Sequence, residues 1–222
     1  MPHAFHPDFG QTVAYTFESV PDDPDTQVAL AVQKVVGFVL EDSTAPIIQR
    51  NAAIAGAGGD PIQGVWDSVK PYIEFKQDAA IAADLQTTDR RKFNVVETFI
   101  RPVDQAMLIQ LRGKGKEDCD GFVSYAACLL VALGVPCSMA TVAAEHFSDG
   151  RPDPEYTHTY VVAYWGGKRI PMDTSHGPFP GWEVPHHRIR EWPVNSSTLS
   201  GALLWPMLIV AALALFALRV IR

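Results

Sequence analysis

The sequence predicts an α+β fold, a helix packed on a small antiparallel sheet, followed by one hydrophobic tail. Three observations carry this expectation. Residues 122–134 (FVSYAACLLVALG) read as a helix stopped by Gly134, with Pro136 beyond. Residues 158–165 (HTYVVAYW) and 168–173 (KRIPMD) flank Gly166-Gly167, the pattern of a hairpin with a two-residue turn. No Asp, Glu, Lys or Arg interrupts the 27 residues from Trp192 to Leu218. Helix first and antiparallel strands after is an α+β order. A length of 222 residues allows one ordinary domain, or one with a small extra part.

Upstream elements follow from local signals. Residues 9–20 (FGQTVAYTFESV) are rich in strand formers and read as an edge strand or arm. Asp22, Asp23 and Asp25 precede the periodic run Val28 to Leu40, a helix with an acidic first turn. Thr44 and Pro46 open a second helix that ends near the glycine-rich 55–59 (AGAGG). Asp60-Pro61 starts a third, carrying Trp66, Val69, Tyr72 and Ile73, which Pro71 must bend or end. Residues 76–94 read as loop or weak helix, and 95–111 as a buried extended segment with a short helix after Pro102. Residues 112–121 read as a turn, 137–145 as strand, and 146–157 as a polar loop.

Charge and cysteine usage exclude several classes. Eighteen basic against 25 acidic residues leave −7, and the chain without Arg219 and Arg222 carries −9. An acidic chain with no basic run does not suit a phosphate backbone, so no nucleic-acid partner is expected. Three cysteines without a CxxC pair suggest neither a disulfide framework nor a structural zinc. AGAGGD at 55–60 lacks the lysine-serine ending of a phosphate loop. The N-terminus shows no basic start or apolar stretch of a secretory signal.

The central helix and the hairpin bring three reactive residues together. Phe122, Val123, Ala126, Leu129, Leu130 and Leu133 share a helical sector of about 120°, and Cys119 projects into it at the first turn. A helix start favours an anion, so a thiol there is expected to ionise readily, and the same amides could hold an oxyanion. In the hairpin, a turn at Gly166-Gly167 sets Tyr160 opposite Asp173 and places His158 diagonal to Asp173 on the same face. That assigns Cys119 as nucleophile, His158 as base and Asp173 as the group that orients it. A one-residue slip in the turn would separate His158 from Asp173. Asp118, Asp120 and Tyr160 are candidate substrate-binding residues, the two acids as steering groups for a cationic substrate. Cys128 and Cys137 read as structural. His146 competes as a base, and His176, His186 and His187 read as solvated loop residues. No metal or organic cofactor is expected.

The runs GKEDCDGFVSYAACLLVALGVP (115–136) and HTYVVAYWGGKRIPMD (158–173) resemble the transglutaminase-like branch of papain-type cysteine enzymes. In that family a Cys precedes a helix ending LGxP, a His opens a strand, and an Asp ends the next. The upstream VWDSVKPYIEFKQD (65–78) resembles a helix segment of bacterial and phage members. The resemblance implies a papain/transglutaminase-like core and divides the chain into an N-terminal strand and helical region (1–60), a transglutaminase-like catalytic domain (61–194), and a tether with a hydrophobic helix (195–222). It implies amide chemistry through a thioester on a peptide, protein or peptidoglycan-like substrate.

Leu199 to Leu218 has 17 of 20 positions hydrophobic, about the 20 residues that cross a bilayer. The expectation is therefore a membrane-tethered cysteine protease or amidase, tail-anchored or attached to a viral particle through 199–218. Two alternatives stand beside it: a structural component of a phage virion that retains the fold, or a peptide-binding module without turnover.

Overall fold

A computed structural model of the chain describes residues 3–5, 13–19, 23–84, 96–144 and 155–195. The hydrophobic segment 199–218 and His146 lie outside the described residues. In chain order the elements are β1 (His3–Phe5), β2 (Ala14–Ser19), α1 (Pro24–Asp42), α2 (Pro46–Gly56), α3 (Pro61–Val69), β3 (Ile73–Phe75), α4 (Asp78–Asp84) and β4 (Val96–Ile100). There follow α5 (Pro102–Arg112), β5 (Gly115–Glu117), α6 (Cys119–Ala132), β6 (Cys137–Ala143), β7 (His158–Trp165), β8 (Lys168–Met172) and β9 (Arg188–Pro193).

Proline starts α1, α2, α3 and α5, where its missing N–H costs no helical bond. Asp23 and Asp60 cap α1 and α3 by accepting from the amides of Thr26 and of Ile62 and Gln63. Pro71 ends the third helix as expected, and the residues after it, Ile73–Phe75, form a strand instead of a further turn.

The helix α6 sits at the centre. Every residue from Asp120 to Leu130 is buried, so it is wrapped on all sides instead of showing the one packed stripe read from its sequence. It packs against α1, α2, α3 and α5 and against β6 and β7. Val36 of α1, Ile48 of α2, Trp66 of α3 and Leu129 of α6 share one apolar core with Met139 and Val161 of the sheet. Burial of this kind is the main stabilising contribution to such a domain. Cys128 and Cys137 lie in this core as free thiols, their sulfurs 3.8 Å from the Val39 carbonyl and 4.0 Å from the Ala127 carbonyl.

The main sheet has the order β8-β7-β6-β9, all antiparallel. Its β7–β8 register pairs Trp165 with Lys168 and Val161 with Met172, the register the two-glycine turn predicts. Gly166 and Gly167 have φ of 58° and 75°, the left-handed values that a two-residue hairpin turn requires. β9 is a strand that the Pro- and Arg-containing segment did not suggest; it pairs with β6 along its length. A parallel pair, β3 with β5, and a three-stranded β1-β2-β4 sheet complete the fold.

Gly121 fixes how closely the start of α6 approaches β5. A Cβ there would stand 2.2 Å from Cγ of Glu117, well inside contact distance. Gly121→Ala should therefore cost about 1–3 kcal/mol, the range for overpacking a core, read as a lower denaturation midpoint with an unchanged m-value.

Candidate functional site

Asp118 begins the site. Its carboxylate caps α6 by accepting from the Asp120 amide at 3.1 Å, and this sets Cys119 at the first helical position. The strand β7 carries His158 at its start, and Asp173 follows directly after β8. Because register places the two diagonally on one face, the imidazole Nε2 and Oδ2 of Asp173 meet at 2.9 Å. Cys119 and His158 line one cavity of about 180 Å³ whose walls also include Val28, Met139, Asp118 and Glu97.

Asp173 is fully buried and well supplied with donors. Its Oδ1 accepts from the Ser175 hydroxyl at 2.8 Å and from the His176 amide at 3.0 Å. Burial alone would push its carboxyl up, but the imidazole of His158, the His176 amide and Ser175 outweigh that and hold it below the usual carboxylate range. A carboxyl depressed by folding stabilises the native state above its unfolded pKa, and that contribution is lost as pH falls through the folded value. The protein should hold this contribution at neutral pH and lose it only below about pH 4, the ordinary range of an Asp carboxyl. Acid titration monitored by circular dichroism should therefore show an acid limb that Asp173→Asn weakens.

The thiol departs from the sequence expectation. Burial pushes Cys119 up, and the carboxylate of Asp118 adds to this; the Thr159 backbone N–H, bonded to the sulfur, pulls the other way without prevailing. The favourable helix start is thus outweighed by desolvation and neighbouring acids, and the resting group is a neutral thiol. The Asp120 amide, expected to be open to an oxyanion, is taken by Asp118.

The other residues singled out in the sequence have distinct places. Asp118 and Asp120 both lie on the cavity wall. Tyr160 does not line it: only 1% exposed, its ring sits among Ala140, Val142 and Val162, and its hydroxyl donates to Glu183 Oε1 at 2.5 Å. Sheet packing and that bond, not substrate contact, account for it. His186 bonds the Val184 carbonyl through Nδ1 at 2.9 Å.

Residues without a local sequence signal complete the surroundings. The His176 ring packs edge-on to His158, with centroids 4.9 Å apart, and against Phe75 at 4.8 Å. His176 is exposed in its turn, as expected, and its ring also helps frame the site. Lys70 Nζ donates to the carbonyls of Thr174 and Ser175, both at 3.3 Å, and holds the turn that bears Ser175 and His176. Glu97 on the wall and Asp78 nearby are pushed up to about 7 and about 8, in each case by burial first and by the charge of Asp118 next. Among the described residues, no helix is long and apolar enough to cross a membrane.

No family model matches this sequence, and no curated protein matches it. Among solved structures, the chain is similar to a protein from Cytophaga hutchinsonii named provisionally as a cysteine protease, at 18% identity and a TM-score of 0.39. That likeness covers 73% of this chain and 50% of the other. It is also similar to a TGase at 16% identity and a TM-score of 0.32, covering 72% of this chain and 34% of that one. The chain thus spans half the length of the first and about a third of the second. Both likenesses are distant, and the reading of the site stands on its own geometry.

Proposed function

We propose that the chain is a transglutaminase-like cysteine amide hydrolase, with Cys119 as nucleophile, His158 as base and Asp173 as the group that orients His158. One observation carries the reading: His158 bonds Asp173 at 2.9 Å while sharing a cavity wall with Cys119. With Nε2 engaged by Asp173, Nδ1 is the imidazole nitrogen left to exchange a proton with the thiol.

The sulfur attacks the amide carbonyl carbon as the thiol proton passes to Nδ1 of His158. The imidazolium then gives that proton to the amine nitrogen, the C–N bond breaks, and a thioester remains. Water, losing a proton to the same nitrogen, attacks the thioester, and the C–S bond breaks to return the thiol. An amine in place of water would transfer the acyl group instead. Asp173 steadies the imidazolium throughout. The backbone amide of Cys119, at the first position of α6, is the donor this reading assigns to the developing oxyanion.

A peptide, protein or peptidoglycan-like amide is the substrate class this chemistry fits. Incubation with glutamine-bearing peptides and with peptidoglycan fragments, read by mass spectrometry, tests it. The expected product is a gain of one water across an amide; unchanged material with every substrate would count against the proposal. The uncharged stretch 199–218 supports a tether to a membrane. The full chain should sediment with membranes after a high-salt wash and a chain ending at 195 should not, whereas equal partition of the two would exclude the tether.

A further inference from the structure

The donors on Asp173 lead on to a further side chain. Its Oδ2 meets Nε2 of His158, and its Oδ1 accepts from the Ser175 hydroxyl and the His176 amide. Oγ of Ser175 also stands 2.9 Å from Nδ1 of His176. The imidazoles of His158 and His176 thus meet directly, with ring planes at 87°, and are also linked through Asp173 and Ser175.

The proton count along that chain has one solution. A hydroxyl has a single proton to give, and an ionised carboxylate only accepts. His158, the His176 amide and Ser175 hold Asp173 ionised, so the serine proton lies on the 2.8 Å contact between Oγ and Oδ1. Oγ then turns lone pairs toward His176, and Nδ1 must carry the hydrogen between them. The opposite tautomer would set two lone pairs against each other, or would draw the serine proton away from a buried carboxylate.

The turn is built to keep this arrangement. The Gly177 amide donates to the Asp173 carbonyl at 2.7 Å, and a Cβ on Gly177 would stand 2.7 Å from that same oxygen, so the turn closes tightly. Lys70 holds the Thr174 and Ser175 carbonyls, and Phe75 packs on the His176 ring. The charged and titratable groups acting on His176 are His158, Asp173 and Lys70. Burial, with His158 and Lys70, outweighs Asp173 and holds the imidazole below the usual histidine range, so its neutral form is the resting one.

We infer that His176 is a positioning residue for His158: its Nδ1–H donates to Ser175 Oγ, which commits the serine proton to Asp173 and so fixes the carboxylate that orients the base. The role rests on the proposed chemistry of His158, whereas the tautomer it requires does not.

Long-range proton–nitrogen correlation spectra of the full chain, at about pH 8 where histidines are neutral, test the tautomer. The expected pattern is a hydrogen on Nδ1 of His176 and none on Nε2; the reverse pattern would overturn the inference whatever the activity. Two variants then separate the donor from the ring. His176→Asn keeps an N–H donor near the place of Nδ1 and loses the ring. His176→Phe keeps a ring between Phe75 and His158 and loses the donor. In the Phe variant kcat should fall about three- to tenfold, the worth of one neutral hydrogen bond, with KM unchanged, while the Asn variant stays within about twofold of the parent. Equal losses in both, or a larger loss in the Asn variant, would mean that His176 only packs. A parent that turns over no amide would sink the hydrolase reading, and the spectra would still decide the tautomer.

Discussion

Cys119→Ser should abolish amide turnover, and His158→Gln should lower kcat by about 10²–10⁴, the range for loss of a positioned general base. The expectation follows from the state of the thiol. Burial and Asp118 hold Cys119 neutral, so its nucleophilicity depends on a base removing the proton during attack. A hydroxyl is a far weaker nucleophile at neutral pH, so the serine variant has nothing comparable to offer. Cys119→Ser should alter stability by no more than about 1 kcal/mol, because it neither fills nor empties the core, whereas His158→Gln also removes the imidazole bonded to the buried Asp173 carboxylate and should cost about 1–3 kcal/mol. Cys128→Ala and Cys137→Ala, by contrast, remove buried packing next to Val39 and Ala127 and should lower stability without affecting kcat. The comparison of kcat with Tm across the three cysteines separates chemistry from packing.

Asp173→Ala should lose both activity and about 3–5 kcal/mol of stability, the cost of breaking a buried hydrogen-bonded charge site. The carboxylate is fully buried and accepts from His158, the Ser175 hydroxyl and the His176 amide, so its removal orphans three donors at once. The turn held from the other side by Lys70 would lose its inner anchor. Asp173→Asn should separate these effects. Its amide oxygen can still accept from Ser175 and His176, so most stability remains. Its NH₂ group would donate to Nε2 of His158 and force the proton onto Nδ1. That tautomer cannot take the thiol proton, so kcat should fall by about 10³–10⁴ with little change in Tm. Similar losses of stability in both variants would mean that Asp173 acts only as a packing group.

Much of this arrangement was legible because local rules set it. Two glycines at a hairpin turn fix the register, and register fixes which residues share a face; Asp173 thereby meets His158. Asp118 before a helical run marks the cap that places Cys119. Residues without a local rule were illegible. The strand β9 is polar and ends in Pro193, and only β6 gives it a partner. The short parallel pair β3–β5 exists because distant segments meet. His176 and Lys70 act across more than a hundred residues of chain in one case and through a turn in the other, and neither has a spacing to read. Asp78, Glu97 and Asp118 come from three separate stretches, so no motif announces their meeting. The thiol's ionisation is not legible, because a helix start shows in the sequence whereas burial and the nearness of Glu97 do not.

The rate of acylation at Cys119 by an activated amide or ester of a peptide, read by intact mass, tests whether Cys119, His158 and Asp173 act as one unit. It is compared in the parent, His158→Gln and Asp173→Asn. If the three residues act together, a single acyl adduct forms on Cys119, and both variants slow its formation by at least about a hundredfold. Adducts on Cys128 or Cys137, or an unchanged rate in both variants, would contradict the assignment of His158 and Asp173 to the chemistry of Cys119.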